Sequence, residues 1–254
     1  MKIACIQMDV LFCQPEENLR QTEALIRKAM KDQPDVLVLP EMWNTGFFPN
    51  PVTDTCSREC LETISLLAKE FHVNIVAGSI AEIRDGKVFN TAYVFDRDGQ
   101  CIASYDKTHL FSPMGEDRVF TPGDRLCRFS LDGASCGILI CYDLRFPELA
   151  RSLCISGLDM LFVVAQWPEQ RVHHLTALCT ARAIENQALL VCCNGCGSVG
   201  DTKFGGNSAI YDPLGKVLVQ ADDAQKIICA QWDFSQKQIP FNVFADRRPE
   251  LYRM

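Results

Sequence analysis

The 254-residue sequence contains no apolar run approaching the roughly 20 residues of a membrane-spanning helix, so a membrane protein is not expected. Met1 to Val10 lacks a basic segment followed by a long apolar one, so no secretory signal is expected either, and the predicted location is the cytoplasm. Basic excess is also missing. Lys and Arg number 25 against 32 Asp and Glu, a formal net charge of −7, which argues against a broad nucleic-acid-binding surface. The sequence has no HExxH, and Cys193-x-x-Cys196 has no second pair of matching spacing, since Cys56 and Cys60 have three residues between them rather than two. No metal or other cofactor is therefore expected. Of four His, His173 and His174 are adjacent on a predicted helix and point in different directions, which does not make a metal pair. Linkers and low-complexity segments are absent, so residues 1–254 read as a single domain.

What the sequence has is an ordinary globular balance, 48% hydrophobic and 22% charged, with an unusual fourteen Cys. Many fall inside strand-like apolar runs, as Cys5, Cys101, Cys136, Cys192, Cys193 and Cys229 do. That is the pattern of reduced, buried thiols rather than of a disulfide framework. Periodicity predicts helices over 15–31, 58–71, 147–157 and 170–186, the last with Leu175, Leu178, Ala181, Ala183 and Ile184 on its apolar face. Strands are predicted over 2–9, 35–39, 74–83, 88–95, 101–107, 126–131, 134–140, 159–165, 189–193, 207–211, 216–220 and 226–233, several joined at Asp-Gly turns. Alternating strands and helices plus antiparallel hairpins indicate an α/β fold. Residues 110–125 form a long loop, and loops of that size in compact domains are usually functional.

Three strand ends carry a reactive group each. CGILICYDLRFPE (136–148) runs from a buried strand into Pro147, which suits a first helical turn, so Cys141 sits on a sharp strand-to-helix connection. A thiol near a helix N-terminus is expected to lean toward thiolate. DVLVLPEMWNTGF (35–47) puts Glu41 after a strand and Pro40, a partly desolvated place that suits a general base. ASYDKTHLF (103–111) puts Lys107 at the end of another strand, where a fixed positive charge serves an oxyanion, helped by the backbone N–H of Tyr142.

Together, LPEMW, YDKTHLF and CYDLRFPE, in this order and spacing, resemble the three signature motifs of the nitrilase superfamily of carbon–nitrogen hydrolases, over nearly the whole chain. The resemblance implies a four-layer α-β-β-α sandwich, a homodimer packed through helices, and a Glu41–Lys107–Cys141 triad working through a thioester without cofactor. It also implies a second glutamate after the lysine that contacts it and orients substrate. Glu116 in SPMGEDRVF matches that position, with Asp117 as the competing residue. His109 is expected to orient neighbours rather than act as the base. The tail, residues 235–254, is polar but carries aromatics in IPFNVFADRRPELY, and is expected to pack on a partner subunit.

The triad alone does not choose a substrate. LPEMWNTGF, CYDLRFPE, ARAIENQ and the tail resemble the ω-amidase branch, which implies hydrolysis of 2-oxoglutaramate or succinamate-like ω-amides to the dicarboxylate and ammonia. Asn207 in GGNSAI departs from the histidine expected there. Arg145 is the nearest basic residue to the nucleophile for binding a carboxylate, and Trp43, Phe47 and Trp167 are expected to wall an apolar sleeve. The alternatives are an N-carbamoyl-amine or short-chain aliphatic amide or nitrile hydrolase of the same fold, a catalytically inactive ligand-binding member, and a zinc hydrolase, for which no motif speaks.

Overall fold

The structure, a computed structural model, describes residues 1–47, 57–236 and 239–252. The loop expected over 42–56 is therefore seen only to Phe47, and Cys56 lies outside the described residues.

Two six-stranded sheets pack face to face. The first is built from β1 (Lys2–Gln7), β2 (Val36–Val38), β3 (Asn74–Arg84), β4 (Lys87–Phe95) and β5 (Cys101–Asp106). The second contains β6 (Arg128–Leu131), β7 (Ala134–Ile140), β8 (Met160–Ala165) and β9 (Leu189–Asn194). Two short strands, β10 (Ser198–Val199) and β11 (Thr202–Lys203), pair with each other. The second sheet closes with β12 (Ala209–Tyr211) and β13 (Val217–Gln220), and β14 (Lys226–Gln231) returns to the first. The orders are β14-β1-β2-β3-β4-β5 and β13-β12-β9-β8-β7-β6. Each sheet has three parallel strands at its centre, β1-β2-β3 and β7-β8-β9, flanked by antiparallel ones. This is an α-β-β-α sandwich.

Side-chain alternation sorts the layers. From β1, Ala4 and Ile6 face helices α1 (Pro15–Ala29) and α2 (Ser57–Phe71), against Ile26, Cys60 and Ile64. Ile3 and Cys5 face the other way, into a core shared with Ile138, Ile140 and Val163 of the second sheet. Helices α3 (Pro147–Cys154) and α4 (Val172–Asn186) cover the outer side of that sheet.

The buried face of α4 differs from the one predicted. It consists of Leu175, Cys179, Arg182, Ala183 and Asn186, while Ala181 and Ile184 are exposed. Purely apolar bookkeeping fails here because two polar side chains are buried for a purpose. Arg182 bonds the Leu144 carbonyl, and Asn186 donates to the Arg182 carbonyl at 3.0 Å. Part of the tail lies on this chain's own helix. Gln187 Nε2 donates to the Phe241 carbonyl at 2.8 Å, and the Val243 N–H donates back to Gln187 Oε1 at 3.2 Å.

Candidate active site

All three central reactive groups leave the sheets at strand ends on one edge of the sandwich. Glu41 follows β2, Lys107 is the residue after β5, and Cys141 the residue after β7. This is where ligands bind in sheets with parallel strands.

Close backbone approach fixes Glu41. At Gly78, whose φ is +57°, a Cβ would stand 1.9 Å from the Pro40 carbonyl, so only glycine lets β3 come so near. Ser79 then accepts the Trp43 N–H on its carbonyl and the Met42 N–H on its Oγ. Met42 has φ 48°, and the reversal turns Trp43 away from the site. Trp43 is buried among α1 and α2 side chains, with Nε1 donating to the Ala77 carbonyl at 2.7 Å. It does not wall the cleft, contrary to the sequence expectation.

Glu41, Lys107 and Glu116 are each fully buried. Lys107 Nζ donates to Glu41 Oε1 at 2.9 Å and to Glu116 at 3.0 and 2.9 Å. Asn90 Nδ2 donates to both carboxylates, at 2.9 and 3.2 Å. The Gln166 N–H donates to Glu41 Oε2 at 2.9 Å and the Phe111 N–H to Glu116 Oε2 at 2.6 Å. Burial alone depresses the lysine, but the two carboxylates overcome it and hold its pKa above the ordinary 10.5. Burial raises Glu116, with Lys107 pulling the other way. Asp117, the competing residue, is exposed.

Cys141 is 9% exposed, with φ +46°, a left-handed conformation that costs a non-glycine residue of order 1–3 kcal/mol. Burial, then the charge of Glu41, holds its thiol well above the ordinary 9.0, against the pull of Lys107. The expectation of a resting thiolate is therefore corrected. The chain after Cys141 is a 3₁₀ turn, Cys141–Arg145, and the eight-residue α3 begins only at Pro147, so no α-helix N-terminus faces the sulfur. A neutral thiol needs a base, and the Glu41 carboxylate stands beside it.

A narrow cleft opens over Cys141. Phe47, Phe111, Met114, Tyr142, Trp167 and Pro168 supply its apolar wall, with Arg145, Gln166 and Arg171. The Phe47 ring centre is 5.1 Å from Lys107 Nζ. Arg145 lies over the Trp167 ring at 4.8 Å and bonds His174 Nδ1 at 3.1 Å. Arg171 lies over Phe111 at 5.3 Å. Desolvation comes first in lowering His174, with His173, Arg145 and Arg171 nearby adding to it. Among the described residues neither arginine has an acidic partner. His109 stacks on Phe146 at 3.6 Å and bonds Asp143, an orienting contact. Asn207 lies outside the cleft. Its φ of 59° suits asparagine, and its side chain bonds the Gly205 carbonyl.

Sequence reasoning missed Asn90, Gln166, Arg171 and Asp143. Asp143 alone carried a signal, its place two residues after the nucleophile; the others stand in unremarkable strand or turn sequence.

Residues 2–238 match the family model described as carbon-nitrogen hydrolase. A 2-oxoglutaramate amidase of Bacillus subtilis is 40% identical over 98% of both chains. An omega-amidase of Yersinia enterocolitica is 34% identical over 99% of this chain and 96% of its own. Among solved structures, an amidase from Nesterenkonia sp. AN1 superposes with a TM-score of 0.88 at 25% identity, covering 99% of this chain and 95% of that one. That structure, of a variant, carries the acetamide moiety of fluoroacetamide covalently on its active-site cysteine.

Proposed function

The chain belongs to the carbon–nitrogen hydrolase family, and on that premise we propose that it is a cysteine-dependent ω-amidase acting on 2-oxoglutaramate or on shorter ω-amides such as succinamate. The observation that carries the reading is one small cleft with an apolar wall and the Cys141 thiol in its lining, a buried Glu41–Lys107–Glu116 cluster beside that thiol, and two arginines at its rim that have no acidic partner among the described residues.

Cys141 Sγ attacks the amide carbonyl carbon as its proton passes to Glu41. The negative charge that develops on the carbonyl oxygen is met by Lys107 Nζ and the Tyr142 N–H. Glu116 accepts two of the bonds of Lys107 and so aims the ammonium. Glu41 then protonates the leaving nitrogen, ammonia departs, and the acyl group remains as a thioester on Cys141. A water enters, gives a proton to Glu41 and attacks the thioester carbon, and collapse returns the proton to sulfur and releases the acid. Arg145, and Arg171 beside it, bind the distal carboxylate, since a desolvated anion requires a cation or several N–H donors.

The same reading has the chain acting as one catalytic domain in the cytoplasm and as a homodimer. No described helix is long and apolar enough to cross a membrane. Ile184, Leu214 and Phe241, 42–51% exposed, gather near the C-terminal end of α4 and the docked tail, an apolar patch that a second subunit would cover. Sedimentation at a monomer's mass would reject the dimer. For activity, ammonia release is measured across ω-carboxylate amides, their neutral analogues, N-carbamoyl amines and aliphatic nitriles. The ω-carboxylate amides are expected to lead in kcat/KM, and faster turnover of any other class would refute the substrate assignment.

A further inference from the structure

Asp143 is fully buried, two residues beyond Cys141. Its Oδ2 accepts the Ile140 N–H at 3.0 Å and the Tyr105 hydroxyl at 2.8 Å. Its Oδ1 accepts the His109 N–H at 2.9 Å and stands 2.9 Å from His109 Nδ1. These contacts reach two separate stretches of chain. Ile140 immediately precedes Cys141, while Tyr105 and His109 stand two residues either side of Lys107. Strand β5, which delivers Lys107, is an edge of the first sheet, and β7, which delivers Cys141, lies in the second. No backbone ladder joins the two, so side-chain contacts between the sheets set the distance from ammonium to sulfur. From the opposite side Arg182 holds the Leu144 carbonyl with two bonds, 3.2 and 2.9 Å. The turn after the nucleophile is thus pinned to α4 by Arg182 and to the lysine-bearing segment by Asp143.

We propose that Asp143 is a positioning residue for catalysis, setting the spacing between Lys107 and Cys141. The inference rests on the catalytic roles assigned above to those two residues. A carboxylate suits the task because its two oxygens accept from four donor directions. An asparagine would turn an NH₂ toward two of these donors, and the segments would separate to relieve the conflict.

The test compares Asp143→Asn with Asp132→Asn and Cys141→Ala in steady-state ammonia release and thermal melting. Asp132 accepts bonds from Arg97 and Asn74 at the far end of β7, so its variant reports what losing a structural carboxylate does. Asp143→Asn is expected to lower kcat roughly 10²-fold, the effect of about 1 Å of misplacement, with KM within two-fold. Asp132→Asn is expected to melt earlier with kcat unchanged. A kcat within two-fold of wild type in Asp143→Asn, or an equal kcat loss in Asp132→Asn, overturns the proposal. Where Asp143→Asn does not fold, Tyr105→Phe decides. It removes one donor without changing shape, and a kcat lowered more than two-fold at constant KM supports positioning, while a smaller change overturns it. If Cys141→Ala stays active, the site assignment itself falls; if it is inert while Asp143→Asn is normal, only the positioning role falls.

Discussion

Replacing Lys107 by Met tests the centre of the site, because the structure sets two magnitudes at once. The ammonium is fully buried between two fully buried carboxylates at 2.9–3.0 Å. Removing it leaves both without their cation, and breaking a buried ion pair by deleting one partner costs about 3–5 kcal/mol. At roughly 2–4 °C per kcal/mol for a chain near this size, the melting temperature should fall by roughly 6–20 °C. The protein should still fold, since domain stabilities run to about 5–15 kcal/mol. Turnover should fall further, by about 10²–10³ from loss of one oxyanion donor alone.

The destabilisation carries a pH signature. In the wild type the Lys107 pKa is raised above 10.5, so its stabilisation is complete below that value and is lost only as pH rises through the raised one. Glu116 is raised above its ordinary 4.5 by burial even with the ammonium present. Without the ammonium the folded variant takes up a proton more readily than the unfolded chain does. The stability gap between wild type and variant should therefore shrink as pH falls. Adding Glu116→Gln to Lys107→Met should recover stability but no turnover. Thermal melts across pH, with ammonia release at the optimum, measure all of this. An inert variant with unchanged melting refutes the buried cluster, and a destabilised variant with normal kcat refutes the oxyanion role.

Cys141→Ala should be folded and inactive, and mass spectrometry of the wild type with substrate should find the acyl group on Cys141 rather than on another cysteine. Arg145→Leu and Arg171→Leu should each raise KM for ω-carboxylate amides by about 10- to 100-fold, the worth of a charge-assisted hydrogen bond, and leave neutral amides unaffected; equal losses on both substrate classes would count against carboxylate binding. Because burial and Glu41 raise the Cys141 thiol, the ultraviolet difference between wild type and Cys141→Ala should show no thiolate appearing between about pH 6 and 9. Glu41→Gln should lower turnover by about 10²–10⁴ with KM little changed.

That Glu41, Lys107 and Cys141 stand at strand ends was legible because each follows a β-rich run, and strand ends can be read from local pattern. The four layers were legible only through the resemblance of the three motifs, because alternation marks an α/β fold without saying how its sheets stack. What failed depended on chain reversals or on distant partners. Trp43 follows Glu41 by two residues and looked like cleft wall, but the Met42 turn sends it under α1 and α2. Asn90 reaches Glu41 across 49 positions and Asp143 reaches Tyr105 across 38, and no local periodicity encodes such pairs. Arg182 and Asn186 fell outside the predicted apolar face of α4, and the carbonyl that Arg182 serves, that of Leu144, is likewise 38 positions away.

The same geometry explains how one thiol is selected from fourteen. Low pKa is not the criterion, since burial raises Cys136, Cys179, Cys193 and Cys196 as it raises Cys141. Exposure is not the criterion either, because Cys13 and Cys101 are exposed. Cys193 shows the contrast best, lying between the sheets with Sγ donating to the Ile6 and Val38 carbonyls, acceptors that cannot take its proton. Cys141 instead stands next to a carboxylate that can, and near an ammonium that can meet the resulting oxyanion, in the lining of the cleft. Its left-handed backbone places the sulfur there at the cost of strain, which the Asp143 and Arg182 bonds to the same turn offset. A resting neutral thiol also reacts slowly with adventitious electrophiles, because the thiolate is the nucleophile. Activation therefore waits for a substrate whose carbonyl oxygen reaches Lys107 while its carbon reaches the sulfur, so selectivity for amides resides in the alignment of base, thiol and cation rather than in the acidity of the cysteine.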